Sequence, residues 1–417
     1  MNFAGKNVPS LAEAGVEQGE LFEQLAFLRS ADNDWHRGRS ALHVYWAGDD
    51  VQHVAERAYA MFMNSNALAP RAFPSLKHME EQLISMSLPL WNAPITGAAA
   101  LTSGGTESII LGMQAIRHWS RETRPHLACP VVLAPRSAHP AYEKAAALLD
   151  MEVRRLPLGG DYRIKPGTVA DALSGETVAL VGSAPCLPFG TMDPIDELGD
   201  LALAEDLWLH VDACLGGYLA PFVRELGHQV PAWDFSIPGV RSISADLHKY
   251  GYAPKGISMI AYRDAEDLGR NRFVFDDWPK GAYRTNSMAG TRSGGTIAAA
   301  WAVMTYLGKA GYRDRAARIM AIRSRIEAGL ANLGGVTMLG PQPLGILAFS
   351  LPGCASIVHE DALAGLGWYT SRISHPPGLH MTVTPVHEQA VDAFLADLAR
   401  LMSAPARAAL PVAISTY

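Results

Sequence analysis

Cysteine is scarce in this chain. Its 417 residues hold four, Cys129, Cys186, Cys214 and Cys354, with no CxxC pair. That scatter excludes a zinc cage and a disulfide framework and suits a reducing compartment, so a cytoplasmic protein is expected. Long apolar runs are missing too: none approaches the ~18 residues of a membrane span. The N-terminus, MNFAGKNVPSLAEAGVEQGE, lacks the basic-then-apolar pattern of a secretory signal. Positive charge is not in excess, since 35 Lys and Arg face 41 Asp and Glu for a net charge of -6. With the basic residues dispersed, a nucleic-acid partner is not expected and a small molecule is. No GxGxxG fingerprint follows the first strand and no Walker A sequence is present, which argues against dinucleotides and ATP.

What remains is an ordinary globular composition, 49% hydrophobic and 18% charged, long enough for two domains. A helical pattern around Leu21, Phe22, Leu25, Phe27 and Leu28 breaks at Arg37-Gly38, and ALHVYWAGDD then reads as a short strand. A helix over 50–63 runs into the loop NSNALAPRAFPSL. Between about 90 and 265, short apolar runs alternate with helices, the pattern of an α/β fold with a mainly parallel sheet. Its clearest strands are VVLAP, TVALVGSAP, LWLHVDA and SISAD; its helices include 108–119, 141–149 and 196–206. Two further helices follow, TIAAAWAVMTYLGKAG and 312–333, then the strands GILAFSL and LHMTVTP and a helix over 387–402. The division expected is an N-terminal helical segment over 1–60, a large α/β domain over 61–310 and a small C-terminal α/β domain over 311–417. The tail after Ser403 is expected to be poorly ordered.

Four segments carry candidate chemistry. In RSISADLHKYGYAPKG, Lys249 follows a strand end; partial desolvation there disfavours the ammonium and leaves an amine able to attack a carbonyl. His248, its neighbour, can bind phosphate or act as acid or base near neutral pH. LTSGGTES sets Gly104, Gly105 and Thr106 at a helix start, where unpaired N–H groups and the helix dipole favour a phosphate. Asp212 ends the strand LWLHVDA and so faces the crevice of an α/β sheet, suited to keep a pyridinium nitrogen protonated beside a carbonyl-binding lysine. That pairing points to pyridoxal 5'-phosphate. His139, in APRSAHPAYEK, falls in a strand-to-helix loop where its ring can stack on an aromatic ligand. Cys214 reads as packing.

Taken in order, DNDWHRGR, VYWAG, FPSLKHME, TSGGTES, SAHPAYEKAA, HVDACLGGY, SISADLHKYGYAPKG, DDWPKGAY and AGTRSGG resemble the pyridoxal phosphate enzymes of the group II decarboxylase type, and among them most closely the sphingosine-1-phosphate lyases. The resemblance implies a fold-type I homodimer with shared active sites, Lys249 covalently holding the cofactor and Asp212 at its pyridine nitrogen. It implies His139 stacked on the ring, Gly105, Thr106 and His248 at the cofactor phosphate, and Gly290 and Thr291 completing that site from the second subunit. Tyr45, Asn66 and Lys255 match positions at the phosphate end of the substrate, a phosphorylated long-chain amino alcohol. The implied activity is retro-aldol cleavage to a fatty aldehyde and phosphoethanolamine; an L-amino-acid decarboxylase and a non-catalytic cofactor-binding protein are the alternatives. Two positions depart from the family pattern: Ala69 stands where a histidine is usual, and AGTRSGG replaces AGSRPGG.

Overall fold

Seven short apolar runs pair into one sheet in the computed structural model, which describes residues 10–353 and 356–403. The strands are β1 (Ala98–Thr102), β2 (Val131–Pro135), β3 (Glu152–Leu156), β4 (Thr177–Ser183), β5 (Trp208–Asp212), β6 (Val240–Ala245) and β7 (Ser258–Tyr262). They lie in the order β1-β7-β6-β5-β4-β2-β3, all parallel except β7, which runs antiparallel to both neighbours. Every residue of β2, β4, β5 and β7 is buried. A strand covered by helices on both faces needs a continuous apolar run rather than alternation, and these sequences supply it. β3 is one of the two edge strands, and its charged EVRRL is only partly covered.

The helix Gly105–Thr123 packs on β6 and β7 and against the helix Ala141–Leu149. The expected pair of later helices runs over Gly294–Asn332, with the break between them at Gly308, whose φ of 52° is a conformation glycine adopts without steric cost. This element packs on the helices Asp49–Phe62 and Pro74–Ser87. A hairpin, β8 (Phe273–Phe275) and β9 (Tyr283–Thr285), precedes it. Beyond it, β10 (Thr337–Met338), β11 (Ile346–Ser350), β12 (Ser371–Ser374) and β13 (Pro377–Thr382) form an antiparallel sheet in the order β10-β11-β13-β12. We place a domain boundary near residue 310, close to the Gly308 break, as a proposal.

One segment folds otherwise than its pattern suggests. ALHVYWAGDD makes no strand: Ser40 forms a single bridge with Tyr369, and His43 has a left-handed φ of 65°. The backbone groups of Ala41 bond to Tyr369 and Thr382, and Arg315 caps Ala47 O at 3.1 Å. The chain is thus tied down one group at a time, which leaves Tyr45 free of any ladder. Strands β1 and β7 carry little local signal because AAALT and SMIAY are short and rich in small residues; pairing with each other and with β6 makes them strands. Cys354 and the tail after Ser403 lie outside the described residues.

Candidate active site

The carboxyl ends of β1, β2, β4, β5 and β6 converge on one cavity of about 380 Å³. Each strand delivers side chains from the turn that follows it: Ser103 and Gly104 after β1, Ser137 and His139 after β2, Pro185 and Cys186 after β4, Asp212 and Cys214 at β5, and Asp246, His248 and Lys249 after β6. A parallel sheet places its ligand crevice there because all its strand-to-helix turns open on the same side. Gly104, Gly105, Thr106, His139, Asp212, His248 and Lys249 are therefore gathered as the sequence suggested.

The helix Gly105–Thr123 points its N-terminus into this cavity, and its N-cap, Gly104, supplies no capping side chain. The first-turn N–H groups stay available to an anion. A β-carbon on Gly105 would stand 2.8 Å from Cys214 Sγ and 3.0 Å from Asp246 Oδ1, so only glycine lets the turn sit against β5 and β6. Glu107 holds the turn in shape: Ser103 N donates to its Oε2 at 2.7 Å, and Met288 N donates to its Oε1 at 2.8 Å. It thereby ties the glycine turn to the segment carrying Gly290 and Thr291. His248 borders the same turn, and among the described residues its Nδ1 has no hydrogen-bond partner. Burial outweighs Asp246 and holds the His248 pKa below its usual value, so its imidazole is neutral.

Asp212 is held from behind. Cys214 N donates to Oδ1 at 3.1 Å, and the Ser244 hydroxyl approaches the same oxygen at 3.5 Å. Behind Ser244 lies His210, with Nε2 3.4 Å from the Ser244 hydroxyl and Nδ1 2.7 Å from that of Ser242. Burial depresses His210 to about 4, so this relay adds no charge. His139, which lines the cavity, accepts a hydrogen bond from Ala141 N through Nδ1 at 3.1 Å, and this fixes its ring. Its pKa is lowered, chiefly by burial.

Lys249 departs from the expectation of a neutral amine. Burial does push its pKa down, but Asp246 Oδ2 lies 2.9 Å from Nζ, and the net shift is upward. The ammonium is the stable form of the free side chain. Asp246 was legible only as part of ADLHK; its i,i+3 spacing to Lys249 within the turn is the signal that identifies it.

The remaining predicted residues lie outside this cavity. Tyr45 and Lys255 line an adjoining cleft of about 570 Å³ with Trp35, His43, Trp46 and Tyr252. Lys255 Nζ donates to His248 O at 3.0 Å and sits 4.8 Å from the Tyr45 ring centre. Burial and the Lys249 charge lower Lys255 to about 8; burial pushes the Tyr45 phenol up to about 12. Asn66, Gly290 and Thr291 cluster elsewhere: Asn66 Nδ2 donates to Thr291 Oγ1 at 3.3 Å, and Arg292 N donates to Asn66 Oδ1. Ala69 is exposed in the same loop. Arg292 pairs with Glu80 and fastens the cluster to the helix Pro74–Ser87.

The cavity fits pyridoxal phosphate by its own chemistry: an uncapped helix start behind glycines, an unpartnered imidazole nitrogen, a lysine, and a buried carboxylate at the end of β5. Comparison with known proteins points the same way. A pyridoxal-dependent decarboxylase conserved domain matches residues 32–352. Sphingosine-1-phosphate lyase of Oryza sativa subsp. japonica is 36% identical over 388 residues, covering 91% of this chain and 71% of the relative. A probable L-tyrosine/L-aspartate decarboxylase of Methanothermobacter thermautotrophicus is 35% identical over 83% of this chain and 93% of its own. Among solved structures, the sphingosine-1-phosphate lyase of Burkholderia pseudomallei K96243 superposes with a TM-score of 0.90 at 35% identity, over 94% of this chain and 92% of that one.

Proposed function

The chain belongs to the pyridoxal-dependent decarboxylase family, and from that premise we propose that it is a carbon–carbon lyase cleaving sphingosine-1-phosphate or a related phosphorylated long-chain base. Bound pyridoxal phosphate supplies the electron sink for the pair released when the bond between the amine-bearing and hydroxyl-bearing carbons breaks. The protein's part is to position groups and manage protons. Lys249 would anchor the cofactor and, once free of it, would hold a proton at Nζ. Asp212 would keep the pyridine nitrogen protonated, the glycine turn with Thr106 and His248 would take the phosphate, and His139 would cover the ring. The substrate hydroxyl must lose a proton, and Lys249 as ammonium and Tyr45 as phenol are poor bases in those forms.

The observation that carries the substrate reading is Lys255 with Tyr45, a cation and a hydroxyl at the lip of the cleft adjoining Lys249. Lys255→Ala is expected to raise KM for a phosphorylated substrate about 10- to 100-fold, the worth of one charge-assisted hydrogen bond, while bound cofactor is unchanged. With Lys255 lowered to about 8 by desolvation and the Lys249 charge, the unsubstituted protein is expected to hold the substrate phosphate more tightly below that pH than above it. A flat KM–pH profile across this range would remove Lys255 from the phosphate site.

We further propose a homodimer. The helix Gln18–Arg29 buries none of its residues, and Phe22, Leu25 and Phe27 are exposed along it, as are Phe273, Phe275 and Trp278 of the hairpin region. A second copy covering these surfaces would also bring Gly290 and Thr291 toward the neighbouring cavity.

Amino-acid decarboxylation is the second reading, favoured by Ala69, which cannot donate a hydrogen bond to a substrate phosphate. Product analysis separates the two. Fatty aldehyde with phosphoethanolamine from sphingosine-1-phosphate supports the lyase; carbon dioxide from an amino acid, with the lipid left intact, supports the decarboxylase.

A further inference from the structure

Asp246 has no part in the scheme above, yet it is the charged group in closest contact with Lys249. It is 2% exposed. Its Oδ2 meets Lys249 Nζ at 2.9 Å, and its Oδ1 has no hydrogen-bond partner among the described residues. The turn after β6 enforces the contact, because Lys249 N donates to Asp246 O at 3.2 Å and the two side chains leave the turn on the same side. The bare Cα of Gly105 closes over the carboxylate. A carboxylate so enclosed is strongly unfavourable without a counter-charge.

We propose that Asp246 is the counter-ion that keeps a proton on Lys249 Nζ whenever that nitrogen has no covalent bond to the cofactor, making the freed lysine a proton donor rather than a competing nucleophile. The other groups facing Lys249 do not fill this role. Asp212, the second anion, is engaged at Oδ1 by Cys214 N and Ser244 at the end of β5. Burial keeps Cys214 and Tyr45 neutral, and the imidazoles of His43, His139 and His248 are all depressed below their usual pKa. Lys255 is a cation and works against the ammonium. The inference rests on Lys249 as the cofactor's attachment point and is independent of the substrate.

Trace acetylation of the cofactor-free protein with acetic anhydride across the alkaline range, read per lysine by peptide mass spectrometry, provides the test. Lys255 should react with a midpoint near 8 and serve as the internal reference, while Lys249 resists until far higher pH. Asp246→Asn should lower the Lys249 midpoint by about one to three pH units, and Asp246→Glu should retain most of the protection. A Lys249 that titrates together with Lys255 in the unsubstituted protein overturns the proposal, and so does an Asn variant whose Lys249 midpoint does not move. The first comparison needs no variant, so the proposal stays testable if Asp246→Asn fails to fold. Failure to cleave sphingosine-1-phosphate leaves either result intact.

Discussion

Lys249→Ala is expected to bind pyridoxal phosphate without the visible absorbance of the lysine linkage and to lose turnover by about 10⁴-fold or more. The side chain does two jobs at one atom. In the proposed scheme Nζ forms the covalent bond that presents the cofactor, and once freed it would hold the proton that the contact with Asp246 favours there. Alanine removes both, and nothing nearby substitutes. Lys255 Nζ is committed to His248 O and faces the other cleft. The spectrum and the product yield are separate readouts, so the result is informative in each direction. An unchanged spectrum would sink the assignment of Lys249, whereas lost absorbance in the variant, together with an unsubstituted protein that turns over nothing, would favour a non-catalytic cofactor-binding protein.

Asp212→Ala should lower turnover by about 10²–10³-fold or more and loosen the cofactor, in line with removing one preorganised charge at a reacting centre. The carboxylate is held ready for that role, since Cys214 N–H and the Ser244 hydroxyl fix Oδ1 and His210 stands behind Ser244 as a neutral, fully buried support. Asp212→Asn separates shape from charge, because it preserves the volume and removes the anion. Similar losses in the Ala and Asn variants point to charge; an Asn variant with full activity would contradict the role at the pyridine nitrogen. Cofactor retention follows from equilibrium dialysis and turnover from aldehyde release.

The parts of the site carried by strand ends were legible in the sequence. Asp212 closes one strand-forming run and Lys249 follows another, and a parallel sheet has one place to put such residues. The glycine turn before 105–123 was legible through its company, because Gly-Gly ahead of an apolar helix serves an ordinary cap as readily as a phosphate until Asp212 and Lys249 stand beside it. What could not be read was set by contacts between distant segments or by side-chain geometry within a turn. Asp246 changes the charge state of Lys249, reversing the effect that burial alone would have, and only coordinates reveal that it lies 2.9 Å away. Likewise, VYWAG has the composition of a strand, but the backbone around it is claimed by Tyr369, Thr382 and Arg315, none of them near in sequence. β1 and β7 err in the opposite sense, being strands by partnership rather than by propensity.

The bond between Asn66 and Thr291, with Arg292 anchored to Glu80, makes one rigid piece of a residue matched to the substrate phosphate and a residue matched to the cofactor phosphate. In the proposed dimer that piece is lent to the neighbour, while Lys249 stays at home. Genetic complementation follows from this arrangement. Subunits carrying Lys249→Ala, reassembled with equal amounts of subunits carrying a damaging change at Thr291, would put both lesions in one site of each mixed pair and none in the other, restoring about a quarter of full activity from two inactive parents.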